Sequence, residues 1–396
     1  MTHPGFSPES RPLVRALAAS KVREIANAGF GRDDVLRFWF GESDEPTPAY
    51  LREAGVAALQ AGKTFYTHNL GLPELRDALA NYLGTLHRRP FDSERIAVTS
   101  AGVSALMIAM QAILEPGDRV VAVAPVWPNL TEIPCLLGAR LARIPLSVVD
   151  GQWRLDLQRL LEAITPTTRL LLLNSPGNPT GWTLPSADCA AIHDHCRRLG
   201  TWILTDDVYE RLRFDAPGTA APSSLLGSAE PEDRIIGANS FSKAWLMTGW
   251  RIGWLVVPAA IREDVGKLIE YNTSCVPEFV QRAALVALER GEPHVEALRR
   301  QLLAKRDRVA QRLRVMRGVE APDPQGGMYA FFRIAGYEDS MSLAKRLIAE
   351  ARLGLAPGVA FGPEGESWLR WCFAARPDAL DAGLARLETW IDRRSA

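Results

Sequence analysis

Short, almost uninterrupted apolar runs recur through the middle of this 396-residue chain, and each ends in turn-forming residues before a segment typical of a helix. They lie at residues 96–99, 119–124, 169–173, 202–205, 234–237 and 252–257. Apolar runs without alternation are typical of strands buried on both faces. Strands that alternate with helices predict an α/β fold, in which helices sandwich a mostly parallel, mixed sheet.

The pattern changes after residue 291. A long charged helix is predicted over residues 292–317, followed by strands at 329–334 and 368–373 with helices between and after them. This α+β pattern predicts a second, smaller domain to which the N-terminal stretch contributes. We therefore expect a large domain over residues 50–290 and a small domain built from residues 1–49 and 291–396.

Charge and composition exclude several classes of partner. The chain has 46 Lys and Arg against 46 Asp and Glu, so no net charge attracts nucleic acid or an anionic membrane. The basic side chains of residues 292–317 are therefore interpreted as a solvated face beside a dimer contact. No apolar run has the length of a membrane span, and the N-terminus does not resemble a signal peptide. Five scattered cysteines argue against a disulfide framework, so we expect a cytoplasmic protein.

Ligands of an open parallel sheet bind beyond the carboxyl ends of its strands. The residues after the predicted strands should therefore converge, and they include a strand-to-helix turn at Gly102, an aspartate at 206 and a lysine at 243. Helix N-terminal amides suit a phosphate, and a desolvated lysine can condense with a carbonyl. Lysine is scarce in this arginine-rich chain, with only six examples, which makes its occurrence at Lys243 more informative.

Four segments carry a resemblance to a known family: Asn-Ser-Pro-Gly-Asn-Pro-Thr-Gly at 174–181, Asp-Asp-Val-Tyr at 206–209, Ser-Phe-Ser-Lys-Ala-Trp-Leu-Met-Thr-Gly-Trp-Arg-Ile-Gly at 240–253, and Leu-Arg-Trp-Cys-Phe-Ala at 369–374. Together, and in this order, they resemble the signature segments of the class I/II aminotransferases. These are pyridoxal 5'-phosphate (PLP) enzymes of fold type I, similar to aspartate aminotransferase. The resemblance runs from about residue 41 to 374.

The resemblance implies a role for each matching residue. Lys243 would hold PLP as an internal aldimine and move the substrate proton, and Asp206 would keep the pyridine nitrogen protonated. Tyr209 would act with them by hydrogen-bonding the phenolic oxygen. Further cofactor contacts are implied for Gly102, Val103, Trp127, Asn178, Ser240, Ser242 and Arg251, and for Tyr66, which would reach the phosphate of the neighbouring subunit of a homodimer.

The resemblance also implies a substrate site and a reaction. Arg370 would bind the α-carboxylate with the backbone of Gly41, and Trp127 and Asn178 would contact the substrate as well. The implied reaction moves the amino group of an L-amino acid to a 2-oxo acid through pyridoxamine phosphate. Val103 stands where one aspartate-specific branch has a lysine, so recognition of a second carboxylate by that route is not expected.

Some interpretations stay open at this stage. Trp39, Phe40, Trp127 and Tyr271 could line an apolar side-chain pocket, but core packing accounts equally well for Trp39 and Phe40. The resemblance also suggests cis peptides before Pro125 and Pro179.

Two other functions compete with transamination. The same cofactor site would serve a carbon–sulfur β-lyase, because the carbanion formed at Cα can react either way. A ligand-sensing module is disfavoured, since no helix-turn-helix pattern precedes the large domain. A metal site at Cys189, His193 and Cys196 lacks a fourth ligand, and a helix packed on the sheet explains these residues better.

Overall fold

The computed structural model describes residues 9–214 and 224–395 of the chain. Its strands are, in chain order, β1 (Leu36–Arg37), β2 (Ile96–Thr99), β3 (Arg119–Ala124), β4 (Arg140–Pro145), β5 (Ser147–Val149), β6 (Gln152–Arg154), β7 (Thr168–Asn174), β8 (Trp202–Asp206), β9 (Ile235–Ser240), β10 (Gly253–Val256), β11 (Val319–Glu320), β12 (Tyr329–Ile334), β13 (Leu353–Gly354), β14 (Ala356–Pro357) and β15 (Trp368–Cys372).

The α-helices are, in chain order, α1 (Pro12–Arg15), α2 (Lys21–Gly29), α3 (Ala49–Gln60), α4 (Pro73–His87), α5 (Gly102–Ile113), α6 (Asn129–Leu136), α7 (Leu157–Ala163), α8 (Ser186–Leu199), α9 (Leu225–Ser228), α10 (Arg262–Glu270), α11 (Glu278–Arg290), α12 (Glu292–Val315), α13 (Ser340–Arg346) and α14 (Pro377–Ser395). Across residues 9–214 and 224–395, no helix combines the length and the apolar character needed to cross a bilayer.

A seven-stranded sheet organises the middle of the chain, in the order β2-β10-β9-β8-β7-β3-β4. Strand β10 is antiparallel to both of its neighbours, and the other pairings are parallel. The predicted α/β class with a mostly parallel, mixed sheet is therefore confirmed.

Alternating residues of this sheet feed two separate layers of core, which explains why its strands are apolar throughout. On β7, Leu171 and Leu173 pack with the larger cluster, whereas Leu170 and Leu172 pack with the smaller one. Helices α4 and α8 contribute to the first layer, and α5 and α10 to the second. The sheet is thus covered by helices on both faces.

A second, antiparallel sheet has the order β11-β12-β15-β14 and carries helices α12, α13 and α14 around it. The N-terminal segment joins this region through the parallel pair β1–β13, in which Leu36 lies opposite Leu353. The division of the chain at residues 50 and 290 agrees with these sheets in outline but stays a prediction.

Most basic side chains of α12 are at least partly exposed, in keeping with the interpretation as a solvated face, and Lys305 is the buried exception. Arg312 Nη2 lies 2.5 Å from Glu388 Oε2 of α14, and Arg308 pairs with Asp381 of the same helix. These ion pairs join α12 to α14 at the surface, and whether a dimer contact lies beside them stays a prediction.

Candidate active site

A cleft of about 920 Å³ opens beyond the carboxyl ends of the parallel strands, between the two sheets. Nearly all of the residues predicted for the site line it: Gly41, Gly102, Val103, Trp127, Asn178, Asp206, Tyr209, Ser240, Ser242, Lys243, Arg251 and Arg370. Tyr66 does not; its side chain is 89% exposed on the loop between α3 and α4. The chain therefore brings the predicted residues together, with Tyr66 outside the cleft of its own subunit.

One wall of the cleft is built to receive an anion. Ala101 adopts a left-handed backbone conformation (φ 93°), and α5 begins immediately after it at Gly102, so the amides of the first helical turn point outward without helical acceptors. A Cβ on Gly102 would lie 3.3 Å from the Cβ of Ser240, which leaves little room for a side chain there. Ser240 Oγ donates to Ser242 Oγ at 2.8 Å, and Arg251 completes the wall. Amides, hydroxyls and a guanidinium together match a phosphate.

Lys243 lies three residues after β9 and extends into the same cleft. Its Nζ donates a hydrogen bond to the backbone carbonyl of Gly41. Burial lowers the pKa of the Lys243 amine to about 8, and the guanidinium of Arg370 acts in the same direction, while the Cys372 thiol opposes them. A substantial fraction of the amine is therefore neutral, and so nucleophilic, near neutral pH.

Asp206 ends β8 and is 5% exposed. Burial raises the pKa of its carboxyl to about 6, whereas a hydrogen bond from the Val208 amide, at 3.3 Å, and the nearby Lys243 both lower it. The carboxylate is still ionised at neutral pH and has few partners, so it is available to a cationic N–H of a ligand.

Asn174, the last residue of β7, fixes the positions of its neighbours. Its Nδ2 donates to the Asp206 carbonyl at 3.0 Å, and its Oδ1 accepts from the Asn178 amide at 2.8 Å. The peptides before Pro125 and Pro179 are cis, as the resemblance suggested, and so is the peptide before Pro176, which was not predicted.

Tyr329 belongs to the site, although the sequence analysis gave it no role. Its hydroxyl lies 2.6 Å from that of Tyr209, and both rings are buried. Burial raises the pKa of both phenols, so both stay protonated. Tyr329 begins β12 directly after Gly326, Gly327 and Met328, and in the sequence it looks like one more core aromatic. A Cβ on Gly41 would collide with the Tyr329 hydroxyl, which explains the glycine there.

Arg370 comes from β15 and is 3% exposed. Its Nη1 donates to Asn178 Oδ1 at 3.0 Å, and its Nη2 donates to the Trp39 carbonyl. The guanidinium carbon lies 4.6 Å from the centre of the Tyr329 ring and 4.8 Å from that of Phe361. Its Nε is buried and has no hydrogen-bond partner among the described residues. A buried guanidinium with spare donor capacity is suited to bind a carboxylate.

The four aromatic residues left open by the sequence divide between pocket, core and surface. Phe40 and Trp127 line the cleft. Trp39 is a core residue whose ring packs against Gly29 and Gly354, while only its carbonyl reaches the site. Tyr271 is 91% exposed and lies outside the cleft. Cys189, His193 and Cys196, which the sequence analysis interpreted as a helix face packed on the sheet, lie on α8 away from the cleft, and His193 Nε2 is 2.9 Å from Asp233 Oδ2.

The known proteins to which this chain is similar are described as aminotransferases, but their names give different amino-acid substrates. The family profile described as aminotransferase class I and II matches residues 34–387. The aspartate aminotransferase of Pyrococcus horikoshii is 33% identical over 382 residues, 96% of each chain. The probable N-acetyl-LL-diaminopimelate aminotransferase of Bacillus subtilis is 31% identical over 96% of this chain and 95% of that protein. The crystal structure of an aromatic aminotransferase from Pyrococcus horikoshii is 31% identical and matches 94% of this chain and 99% of its own with a TM-score of 0.85.

Proposed function

Because this chain belongs to the class I and II aminotransferases, a family of PLP-dependent enzymes, we propose that it uses Lys243 to move the amino group of an L-amino acid to a 2-oxo acid. The family establishes the reaction type and the cofactor, and the residue roles are our proposal. The observation that carries it is a buried amine with a pKa near 8, in one cleft with a buried carboxylate and an anion-binding wall.

The side chains and amides that line the cleft have the chemistry needed for each part of PLP, and they lie in separate parts of the cleft. The phosphate fits the wall formed by the first turn of α5 with Ser240 and Ser242. The aldehyde fits the Lys243 amine, and the pyridine nitrogen fits the Asp206 carboxylate. Lys243 and Asp206 are close enough for their charges to interact: Asp206 ends β8, and Lys243 follows the end of the neighbouring strand β9 by three residues.

The bound cofactor supplies an electron-withdrawing pyridinium ring. Asp206 would hold a proton on the ring nitrogen, because the ionised carboxylate favours the cationic form of its partner. Asn178 and Tyr209 would hydrogen-bond the phenolic oxygen, and Trp127 would stack on the ring. Lys243 Nζ moves a proton at the substrate α-carbon, and Arg370 with the Gly41 backbone holds the α-carboxylate.

Borohydride reduction of the yellow enzyme, followed by peptide mapping, tests the central assignment. The label should lie on Lys243 and be absent from Lys243→Ala, whereas the exposed Lys267→Ala control should label normally. Label on another lysine would refute the proposal. Pyruvate formed from a cysteine conjugate without any 2-oxo acid would favour the β-lyase, while pyridoxamine phosphate formed from the donor favours transamination.

We also propose a homodimer in which Tyr66 serves the neighbouring site. Phe65, Tyr66 and Tyr271 are 79%, 89% and 91% exposed, which is costly for aromatic side chains in a lone subunit. Mixing Tyr66→Phe with Lys243→Ala subunits provides a test. If sites are shared, each mixed dimer has one doubly altered and one intact site, so activity exceeds the sum of the two parents. Activity equal to that sum would contradict sharing.

We propose a cytoplasmic location for this enzyme. All five cysteines are free thiols, as expected in a reducing compartment. Cell fractionation with antibody detection checks this, and enrichment in an oxidising compartment would contradict it.

A further inference from the structure

Two neighbouring loops carry three highly exposed aromatic side chains. Phe65 and Tyr66 lie before α4, Tyr271 lies directly after α10, and the three are 79%, 89% and 91% exposed. The loops are about 200 positions apart in the sequence but meet in the fold, where the Thr67 amide donates to Cys275 Sγ at 3.4 Å. The way in which the aromatic rings are presented therefore depends on how these two loops are held together.

Gln281 of α11 joins the two loops through its side-chain amide. Its Nε2 donates to Thr67 Oγ1 at 2.9 Å and to the Val276 carbonyl at 2.8 Å. Its Oε1 accepts from the Leu72 amide at 2.7 Å, and the whole side chain is buried. One amide thus holds the loop before α4 at two points and also holds the loop after α10.

The backbone of the first loop runs closely past the Gln281 amide. Gly71 has a left-handed conformation (φ 97°), and a Cβ there would collide with the Val98 side chain and lie 3.2 Å from Gln281 Oε1. Buried hydrogen-bonding groups that lose their partners are costly, so the three bonds of Gln281 strongly favour one path for this loop.

Tyr66 is the residue most affected by this arrangement. Among the described residues, none hydrogen-bonds to its hydroxyl or stacks on its ring, and the side chain projects from the surface. The position of Tyr66 is therefore set by the backbone beside it, and the next residue, Thr67, is the one that Gln281 holds. A change at Gln281 would move Tyr66 without touching it.

We propose that Gln281 is a positioning residue that presents Tyr66 to the cofactor phosphate of the neighbouring subunit. This inference rests on the proposed function, because it takes the homodimer and its shared site as given. Gln281 does not line the cleft of its own subunit. Its effect on cofactor binding should therefore appear in the site of the other subunit and not in its own.

Borohydride fixation measures the PLP affinity of the proposed site, because only a site that contains Lys243 forms the reducible link. Cofactor-free dimers are titrated with PLP before reduction, and the midpoint of labelling at Lys243 is recorded. Gln281→Leu should raise this midpoint by about tenfold, and by no more than Tyr66→Phe does, because the contact at risk is one hydrogen bond to a charged phosphate. Adding Gln281→Leu to Tyr66→Phe should cause no further change.

Mixed dimers, purified through two different tags, show in which site the change acts. When Gln281→Leu and Lys243→Ala are on different chains, the site with Lys243 receives Tyr66 from the chain with an intact Gln281, so its midpoint should equal that of the wild type. When both changes are on one chain, the site on the unchanged chain receives the displaced Tyr66, so its midpoint should rise by the full factor. A loss of stability alone would not produce this pattern.

A matched control loses a buried hydrogen bond far from the two loops. Thr201 Oγ1 donates to the Thr168 carbonyl at 3.0 Å, at the ends of β7 and β8 that point away from the cleft. Thr201→Val should lower thermal stability and leave the midpoint unchanged. If Gln281→Leu does not fold, Thr67→Val takes its place, because it removes the same tie at a half-buried loop residue.

The same mixed dimers made with Tyr66→Phe distinguish failure of this inference from failure of the shared site. If Tyr66→Phe acts on the site of the other subunit but Gln281→Leu acts on its own site, or on neither, the inference about Gln281 is overturned and the shared site stands. If Tyr66→Phe itself acts only on its own site, or has no effect, the shared site is refuted, and the inference about Gln281 is refuted with it.

Discussion

Lys243 should react with an acylating reagent at a lower pH than the surface lysines do. Burial lowers the pKa of its amine from 10.5 to about 8. At pH 7 an amine with a pKa of 8 is about 9% neutral, and one with a pKa of 10.5 is about 0.03% neutral. Because only the neutral amine attacks, burial makes the reactive form of Lys243 about 300-fold more abundant at this pH.

Competitive acetylation of the cofactor-free protein measures this effect. Trace acetic anhydride, an internal amine standard and peptide mass spectrometry give a relative rate for each lysine between pH 6 and 11. Fitting each curve as a single titration with its own free plateau separates the effect of protonation from that of steric access. Lys267 is the control within the molecule, because it is exposed and a hydrogen bond with Asp264 raises its pKa above 10.5. We expect midpoints near 8 for Lys243 and above 10.5 for Lys267. A Lys243 midpoint of 10 or more would show a well-hydrated amine and refute the reasoning.

Three further substitutions give checkable results. Asp206→Asn should stabilise the cofactor-free protein at pH 7 by up to about 3 kcal/mol, because burial raises the pKa of this carboxyl from 3.8 to about 6. The folded pKa is the higher one, so in urea unfolding curves the gain should shrink as the pH falls through 6 and be absent below about 4; a gain that does not depend on pH would contradict this. Gly41→Ala should raise the amino-acid KM, because the new Cβ meets the Tyr329 hydroxyl, and adding Tyr329→Phe should recover part of the loss. Arg370→Ala should raise the amino-acid KM by at least about tenfold and spare PLP affinity, and an unchanged KM would place the carboxylate elsewhere.

The strands that could be predicted from the sequence are those buried on both faces. Ile96–Thr99, Arg119–Ala124 and Tyr329–Ile334 have the predicted bounds, because each is a largely apolar run in which Thr99, Arg119 and Arg333 are the exceptions. Strands β7, β8 and β9 run one to three residues beyond their predicted ends, into polar residues such as Asn174 and Asp206 that belong to the site. The apolar pattern stops where the cleft begins, so it could not reveal those ends.

The strands that were missed lie at edges or are very short. Strand β4 has the sequence Arg-Leu-Ala-Arg-Ile-Pro and forms an edge of the seven-stranded sheet. Most of its residues are only partly buried, so polar side chains interrupt its apolar pattern. Two-residue strands such as β13 and β14 depend on their partners across the sheet rather than on their own residues. Such pairing is a tertiary property that a local pattern does not contain.

The residues of the candidate site also divide into those that the sequence indicates and those that only the folded structure reveals. Residues in the motifs, such as Lys243 and Asp206, could be placed from the sequence because each follows a strand end or matches a family segment. Tyr329 could not, because it looks like a core aromatic until the fold brings it to the cleft. The hydrogen bond from Lys243 to the Gly41 carbonyl joins residues 202 positions apart, and no local spacing indicates it.

The hydrogen bonds of Arg370 have a consequence for how the enzyme fails under stress. Its strand belongs to the antiparallel sheet, while its partners Asn178 and Trp39 come from the parallel-sheet region and from the N-terminal segment. Moderate heat that loosens the antiparallel region alone would dismantle the proposed α-carboxylate site, whereas the proposed cofactor-binding residues of the seven-stranded sheet would keep their positions. A sample could therefore stay yellow after it has stopped turning over, and colour would overstate the fraction of working enzyme.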